Sequence, residues 1–375
     1  MRDKNILMVD LVGQYDKIKD EINQNIINSL QEGKFINGPI VKEFSQNLSN
    51  FLNVKHVIPC ANGTDALQIA LMALGLKQGD EIICPSWSYI STAETAILLG
   101  IKPVFCDVDR NTFNMSAENV EKLINKKTKA IIPVHLYGQS CDMEPILKLA
   151  LKHKLKVIED NAQAIGCVYT FSNGEKKHTG TMGDIGTTSF YPTKNLGAYG
   201  DGGAIFTNND DLAQQIKMYS NHGESKRYHH DIIGINSRLD SIQAEVLNVK
   251  LKYLTNYNQA RNQMANIYND AFKDIIELQI PFKLCNSTHV FHQYTLKVQN
   301  GKRDDLIKYL DQNGIDTRVY YPIPVHKQKA FSKYSSINLI NTDELATSCL
   351  SLPIHTEIEN SSQKYIIDNV LNFFK

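Results

Sequence analysis

From residue 55 to about residue 220, the chain alternates short runs of β-branched and apolar residues with amphipathic stretches. The runs read KHVIPC, EIICP, KPVFCDVD, KAIIPVHL, LKVIED, GTTSFYP and GAIFTN. Between them, segments such as TDALQIALMALGL and MEPILKLALKHK carry apolar residues at spacings of three and four, which is typical of helices with one buried face. The alternation predicts an α/β fold with a mainly parallel central sheet and flanking helices on both faces.

The pattern changes after this region and predicts one long helix followed by a smaller domain. The helix lies in RLDSIQAEVLNVKLKYLTNYNQARNQMANIY, and its apolar stripe contains Ile242, Val246, Val249 and Tyr253. The remainder combines an alternating strand, HVFHQYTLKV, and a short strand near DTRVY with the helical segments RDDLIKYLDQNG and SQKYIIDNVLNFF, which predicts a small α+β domain. We assign residues 1–250 to an N-terminal segment and a large domain, and residues 251–375 to the small C-terminal domain.

Composition narrows the range of partners. The 375 residues are 42% hydrophobic, which is enough to bury more than one core. Lys and Arg total 40 and Asp and Glu total 40, so no overall charge attracts a nucleic acid polymer or an acidic membrane. No apolar run has the length of a signal peptide core or a membrane span, so we expect a cytoplasmic protein. The seven cysteines include no CxxC pair, which predicts reduced core residues and no zinc or disulfide framework.

Candidate functional residues follow the strands, because the ligand crevice of an open parallel sheet lies beyond the carboxyl ends of its strands. Asp160 ends LKVIED, and Gln163 comes three residues later. Lys194 follows GTTSFYP in a loop where Pro192 prevents a strand or a helix from continuing. Desolvation beside apolar strand ends disfavours the ammonium form of Lys194, which predicts an amine that can attack an aldehyde. Asp160 is placed to keep a pyridinium nitrogen protonated, so the pair predicts a site for pyridoxal phosphate (PLP).

PLP also requires an anion site and an aromatic neighbour, and the sequence offers both. In CANGTDALQIA a strand ends, Gly63 and Thr64 offer backbone N–H groups, and a helix begins, so the helix N-terminus faces the anion. Ser189 offers a hydroxyl to the same group. The segment PSWSYIST supplies Tyr89 or Trp87 to stack on the pyridine ring.

Each of these residues also has an ordinary structural interpretation. Taken alone, Lys194 is a surface-loop lysine, Asp160 is a helix cap or an ion-pair partner, Thr64 is a helix cap and Tyr89 is a core residue. Their occurrence together, at the strand ends of one sheet, favours the cofactor site over these readings.

A second motif, DVDRNTFNMSAE, has carboxylates and amides at the ligand positions of an EF-hand loop. However, Thr112 stands at the position that requires glycine, and a strand precedes the loop where an EF-hand has a helix. We therefore predict a turn that leads into a helix capped by Ser116, and we predict no metal site.

Over almost its full length the chain resembles the PLP-dependent nucleotide-sugar aminotransferases of the DegT class. The segments that carry the resemblance are GKFINGPIVKEFS, ANGTDAL, GDEIICPSWSYISTAE, PVFCDVD, IIPVHLYGQSCDM, VIEDNAQAIG, GDIGTTSFYPTKNLGAYGDGGAIFTN, GINSRLDSIQAEVL and LSLPIHTEI. The resemblance implies a fold type I PLP-dependent transferase that is a homodimer with shared active sites, with L-glutamate as amino donor and a nucleotide sugar as substrate. Asn161 and Cys167 stand where the family leads us to expect alanine, and Trp87 stands where it leads us to expect a small polar residue.

The resemblance also implies a role for each matched residue. Lys194 would bind PLP covalently, Asp160 would contact the pyridine nitrogen, Gln163 would lie near the ring hydroxyl and Tyr89 would stack on the ring. The phosphate would be held by Gly63, Thr64, Ser189 and, from the neighbouring subunit, Asn236.

The substrate contacts are expected in two further segments and beside the lysine. They are Tyr228, His229 and His230 in SKRYHHDIIG, Tyr321 and His326 in DTRVYYPIPVHKQ, and Tyr191. The resemblance implies amination at C3 of a dTDP-linked 3-keto-6-deoxyhexose, for use in lipopolysaccharide or S-layer glycans; a UDP-linked 3-ketosugar and a C4 ketone are the alternatives. A PLP sugar dehydratase is disfavoured because that branch has histidine in place of Lys194. A non-catalytic sensor that keeps the fold is a third reading.

Overall fold

The computed structural model describes residues 5–334 and 338–375. In these ranges the α-helices are α1 (Leu11–Glu32), α2 (Pro39–Leu52), α3 (Gly63–Ala73), α4 (Ser91–Leu98), α5 (Ala117–Glu121), α6 (Met143–His153), α7 (Asp210–Ser220), α8 (Ser241–Phe272), α9 (Arg303–Gln312), α10 (Ile340–Ser348) and α11 (Asn360–Phe373). The strands are β1 (His56–Cys60), β2 (Glu81–Pro85), β3 (Lys102–Cys106), β4 (Thr128–Ile131), β5 (Lys156–Asp160), β6 (Val168–Thr170), β7 (Lys176–His178), β8 (Ile185–Ser189), β9 (Gly203–Thr207), β10 (Glu224–Lys226), β11 (His229–His230), β12 (Leu278–Gln279), β13 (Tyr294–Val298) and β14 (Cys349–Leu352).

The central sheet has seven strands in the order β1-β9-β8-β5-β4-β2-β3. The five strands from β8 to β3 are mutually parallel, and β9 is antiparallel to both of its neighbours. Each of the seven apolar runs seen in the sequence overlaps one of these strands. The predicted α/β architecture with a mainly parallel sheet is therefore confirmed.

Successive residues of the central strands enter different cores, because side chains alternate between the two faces of a sheet. Ile82 and Ile158 pack in one core with residues of α3, α4 and α7, whereas Ile83 and Val157 pack in another with residues of α5 and α6. Both faces are covered, which explains why these runs are continuously apolar.

The long helix predicted after the sheet is α8, which has 32 residues. Val246 and Val249 from the predicted stripe pack against Ile18 and Ile22 of α1, and Tyr253 lies at the edge of this cluster. The first half of α8 also packs against α2, and its second half joins a core formed by the C-terminal elements. The division into domains at residues 250 and 251 falls inside this helix and stays a prediction.

The C-terminal elements form a three-stranded antiparallel sheet, β12-β13-β14, that packs with α8, α9 and α11 around one apolar core. β13 lies within the predicted strand HVFHQYTLKV, but all five of its residues are buried, so no polar face is exposed. Near DTRVY the structure has a single bridge, from Arg318 to Ser351, in place of the predicted strand. Among the described helices, none has the length and apolar character that crossing a membrane requires.

Six of the seven cysteines are buried, as expected of core residues, and Cys285 is exposed. The EF-hand-like segment is a turn: Asp109 accepts hydrogen bonds from the backbone N–H groups of Asn111 and Thr112. Ser116 then caps α5 by accepting a hydrogen bond from the N–H of Asn119, as predicted. Within residues 5–334 and 338–375, no three His, Cys, Asp or Glu side chains are grouped as metal ligands.

Candidate active site

A cavity of about 510 Å³ lies at the carboxyl ends of β1, β2, β5 and β8. It brings together nine of the residues predicted from the sequence: Gly63, Thr64, Tyr89, Asp160, Gln163, Ser189, Tyr191, Lys194 and Tyr321. These residues are far apart in sequence, and the order of the parallel strands brings them together. Their position agrees with the rule that ligand crevices of open sheets lie beyond the carboxyl ends of the strands.

One wall of the cavity is the N-terminus of α3. Asn62 caps this helix by accepting a hydrogen bond from the N–H of Asp65 at 2.8 Å. A Cβ atom added to Gly63 would lie 2.7 Å from Cβ of Ser189, so only glycine allows the helix to start this close to the end of β8. The free N–H groups and the helix dipole make this wall a suitable cradle for a phosphate group.

Asp160 provides a fixed carboxylate in the cavity. Its backbone is tied to the segment after β4, since its N–H donates to the carbonyl of Pro133 and its carbonyl accepts from the N–H of His135. Its side-chain oxygens accept from the hydroxyl of Thr92 at 2.9 Å and from the N–H of Ala162 at 3.1 Å. The carboxylate is therefore buried, oriented and directed toward any ligand that fills the cavity.

Lys194 lies in a tight turn after β8, where its N–H donates to the carbonyl of Tyr191. Burial lowers the pKa of its ammonium group to about 8, although the negative charge of Asp160 acts in the opposite direction. Within the described part of the chain, no hydrogen bond or ion pair involves its Nζ atom. The structure thus supplies an amine whose neutral, reactive fraction near neutral pH is much larger than that of an ordinary lysine.

Aromatic side chains form the side of the cavity nearest β2. Tyr89 is 57% exposed, with its ring centroid 6.3 Å from that of Tyr321. Gln163 is held by the N–H of Tyr137, which donates to its Oε1 atom at 2.7 Å, and its Nε2 atom donates to the hydroxyl of Tyr321 at 3.0 Å. Trp87, the other candidate for stacking, is buried behind this wall, so the geometry favours Tyr89.

The cavity is also lined by residues that no sequence motif indicated, among them His292 and Gln293. The Nδ1 atom of His292 lies 3.3 Å from Oδ1 of Asn195, the residue after Lys194. Burial, with the positive charges of Lys194 and Arg261, holds the pKa of this imidazole well below its usual range, so it is neutral. The adjacent polar pair His292 and Gln293 within HVFHQYTLKV was the available indication.

Five predicted residues do not line the cavity. Tyr228, His229 and His230 belong to the exposed hairpin of β10 and β11, and Asn236 is exposed nearby. His326 is buried, and its Nδ1 atom lies 2.6 Å from Oγ of Ser86, just after β2. This contact ties His326 to the loop that carries Tyr89, and His326 does not line the cavity. A substrate contact by His326 has no support in this geometry.

The chain belongs to the DegT/DnrJ/EryC1/StrS aminotransferase family, whose model matches residues 16–371. It is 42% identical over 375 residues to a pleiotropic regulatory protein of Geobacillus stearothermophilus, covering 99% of each chain. It is 42% identical to a UDP-2-acetamido-2-deoxy-3-oxo-D-glucuronate aminotransferase of Pseudomonas aeruginosa, covering 98% of this chain and 100% of the relative. A dTDP-3-amino-3,6-dideoxy-alpha-D-galactopyranose transaminase of Aneurinibacillus thermoaerophilus is 39% identical, with 94% and 95% covered.

Solved structures agree with this assignment. The Streptomyces venezuelae protein DesV, in complex with a ketimine intermediate, superposes with a TM-score of 0.95 at 34% identity, and 99% of each chain is covered. The Bacillus subtilis protein ntda with bound cofactor PMP, the aminated form of PLP, has a TM-score of 0.90 at 32% identity, with 100% of this chain and 87% of that chain covered. The fold is thus the fold type I of PLP-dependent transferases, and the predictions of an aminotransferase and of PLP as cofactor are confirmed.

Proposed function

We propose that this aminotransferase moves an amino group from L-glutamate to the C3 keto carbon of a nucleotide-linked 3-ketosugar. The observation that carries the proposal is the meeting of Lys194, Asp160 and the N-terminus of α3 in one cavity, in a chain of this family. The name of the Pseudomonas aeruginosa relative specifies a UDP-linked 3-oxo sugar, and the 42% identity to it favours a UDP-linked substrate. The relative at 39% identity acts on a dTDP-linked sugar, so the dTDP-linked 3-keto-6-deoxyhexose expected from the sequence is the second candidate.

The residues of the cavity fit the parts of PLP. Bound PLP supplies an aldehyde that condenses with amines and a ring that takes up the electron pair of an adjacent C–H bond. In our proposal the N–H groups of Gly63 and Thr64, with the hydroxyl of Ser189, bind the phosphate. The carboxylate of Asp160 keeps the pyridine nitrogen protonated, and Gln163 and Tyr89 orient the ring.

Lys194 then has two tasks in this proposal. Its neutral amine attaches the cofactor, and once released by the incoming amino donor it takes a proton from the donor α-carbon. The ammonium group so formed would pass that proton to C4′ of the cofactor. In the second half of the cycle Lys194 would carry a proton from C4′ to C3 of the sugar, so that C3 receives hydrogen as well as nitrogen. A lysine with a pKa of about 8 can hold and release a proton near neutral pH, which suits it to both directions.

The exposed hairpin suggests where the sugar is bound. Tyr228, His229, His230 and Asn236 project from the chain without lining its own cavity. We propose that they complete the active site of the other subunit in a homodimer, with Tyr191 and Tyr321 contacting the substrate from this subunit. The cytoplasmic location also stays a prediction.

The test is product analysis with a small panel of UDP- and dTDP-linked sugars that carry a ketone at C3 or C4. The enzyme is incubated with PLP, glutamate and each sugar, and mass spectrometry and NMR locate the new amine while 2-oxoglutarate is measured. A C3 amine formed with stoichiometric 2-oxoglutarate supports the proposal. Amination at C4, or loss of a sugar hydroxyl without 2-oxoglutarate, would contradict it and would favour the 4-ketosugar or dehydratase alternative.

A further inference from the structure

Side chains on one face of α8 form hydrogen bonds with the turn that carries Lys194. Three polar side chains of this helix are spaced by seven and eight positions, about two helical turns, and therefore lie on the same side. Each of them binds one of the alternate residues after Lys194. The order of the three along the helix is the reverse of the order of their partners along the turn. The contacts are Asn258 Oδ1 with Asn195 Nδ2 at 2.8 Å, Lys250 Nζ with the carbonyl of Gly197 at 2.9 Å, and Gln243 Oε1 with the N–H of Tyr199 at 2.8 Å.

Lys250 is the unusual member of this set, because it is a buried cation. Only 1% of the residue is exposed, and burial lowers the pKa of its ammonium group to about 8, although the charge of Glu357 acts in the opposite direction. Its Nζ atom lies 4.3 Å from the centroid of the Tyr199 ring, which stabilises a cation. Among the described residues no ion pair involves Lys250, so a carbonyl and a ring replace the carboxylate that buried lysines usually require.

Filling space in the core does not by itself explain this residue. Burying an ammonium group is costly, and an unbranched apolar side chain such as Met fills a similar volume without that cost. What Met cannot do is bind the carbonyl of Gly197. The turn around this carbonyl is tightly packed. A Cβ atom on Gly197 would lie 2.2 Å from the carbonyl oxygen of Pro192, so the turn requires glycine at this position.

We propose that Lys250 is a positioning residue, which fixes the turn through the Gly197 carbonyl so that the Lys194 amine points into the cavity. This inference rests on the proposed role of Lys194. It is supported by Asn258, whose Nδ2 atom also donates to the carbonyl of Ile165 at 3.1 Å, in the segment after Asp160. One helix face thus holds both the Lys194 turn and the segment that follows the Asp160 carboxylate.

The test compares Lys250→Met with Lys252→Met in cofactor-free protein. Lys252 is exposed on the same helix and pairs with Glu21 on the surface, so it controls for the loss of one lysine from α8. After mixing with PLP, absorbance follows the condensation of the Lys194 amine with the aldehyde, in which water is lost. Borohydride then reduces the C=N bond, and mass spectrometry locates the adduct. Thermal unfolding of each variant is measured in parallel.

We expect Lys250→Met to bind PLP at Lys194 about tenfold more slowly, because a small misplacement of a reacting group has a large kinetic effect. Its midpoint of unfolding is expected to stay close to that of the wild type, because removal of a buried charge offsets the loss of the donor to the Gly197 carbonyl. Lys250→Gln restores an N–H donor without a charge and should recover part of the rate. Lys252→Met should match the wild type in both measurements.

Wild-type rates in Lys250→Met would overturn the inference, and so would equal rates in the Met and Gln variants. A fall in unfolding midpoint that accounts for the slower capture, as a structural role predicts, would overturn it too. A failure of the proposed function looks different: Lys194→Ala would still form the reduced adduct, or the wild-type adduct would lie on another lysine.

Discussion

The strand-end cavity and the β10–β11 hairpin are two functional regions with opposite physical character. In the cavity, Lys194 and Asp160 lie on short turns whose backbone and side chains are held by buried hydrogen bonds. In the hairpin, Tyr228 is 77% exposed and the side chains of His229 and His230 are exposed as well. Most of the residues that we propose for the cofactor thus lie together in the cavity of one chain, whereas the hairpin residues that we propose for recognition of the sugar are left uncovered by a single chain.

The largest effect is expected for Lys194→Ala, which removes the reactive amine from the cavity. We predict the loss of covalent PLP binding and a fall in transamination by about 10²–10⁴-fold or more, because both attachment and proton transfer are lost. Absorbance of the purified protein and 2-oxoglutarate formation are the measurements. Lys252→Ala, at an exposed position on α8, is the control. Substantial turnover by Lys194→Ala would show that the cavity is not the chemical centre.

The lowered pKa of Lys194 gives the next largest effect, on the pH dependence of PLP capture by the cofactor-free enzyme. Only the neutral amine attacks, so the rate should rise about tenfold per pH unit below the pKa and level off above it. With a pKa of about 8, the rate should level off at a pH more than two units lower than it would for an ordinary lysine. Stopped-flow absorbance from pH 6 to 10 measures the profile. A midpoint near 10.5 would mean that burial does not tune this amine.

Substitution in the hairpin should separate the two halves of the reaction. We predict that His229→Ala combined with His230→Ala raises the KM for the nucleotide sugar about tenfold, the equivalent of one or two lost hydrogen bonds. The half-reaction with glutamate should be unchanged, because in our proposal these residues contact the sugar and neither the cofactor nor the amino donor. Single-turnover kinetics with glutamate alone provides the control. An equal loss in both half-reactions would remove the contrast between the two regions.

Features that depend on short segments of sequence could be predicted, whereas features that depend on tertiary contacts could not. The strand runs and the glycine, lysine and aspartate motifs act locally, so the sheet and nine cavity residues were predictable from short segments. The resemblance to the family implies a substrate contact for His326, yet its backbone N–H and ring bind Ser86, 240 positions away. Lys250 and His292 were missed for a related reason: their contacts are set by tertiary packing and leave no periodic pattern.

The smallest effect concerns Asn161, which follows Asp160 but points away from the cavity because successive side chains alternate. It is fully buried, and within the described residues neither its Oδ1 nor its Nδ2 atom has a hydrogen-bond partner. An unpaired buried amide costs about 1–3 kcal/mol, so Asn161→Ala should raise the free energy of unfolding by about 1 kcal/mol after some packing is lost. Urea unfolding measures the change, and activity should stay at the wild-type level.

Asn195 provides the matched contrast, because its equally buried amide donates to Asn258 and to the carbonyl of Val290. Asn195→Ala should therefore lower the free energy of unfolding by about 1–3 kcal/mol, since it leaves buried acceptors unpaired. Opposite signs for the two substitutions would show that the turn after Lys194 is stabilised by its hydrogen bonds, and that the residue after Asp160 contributes nothing comparable. A loss of stability in both variants would instead mean that Asn161 is held by its packing, which is close enough to Gly180 that a Cβ atom there would lie 3.2 Å from the Asn161 side chain.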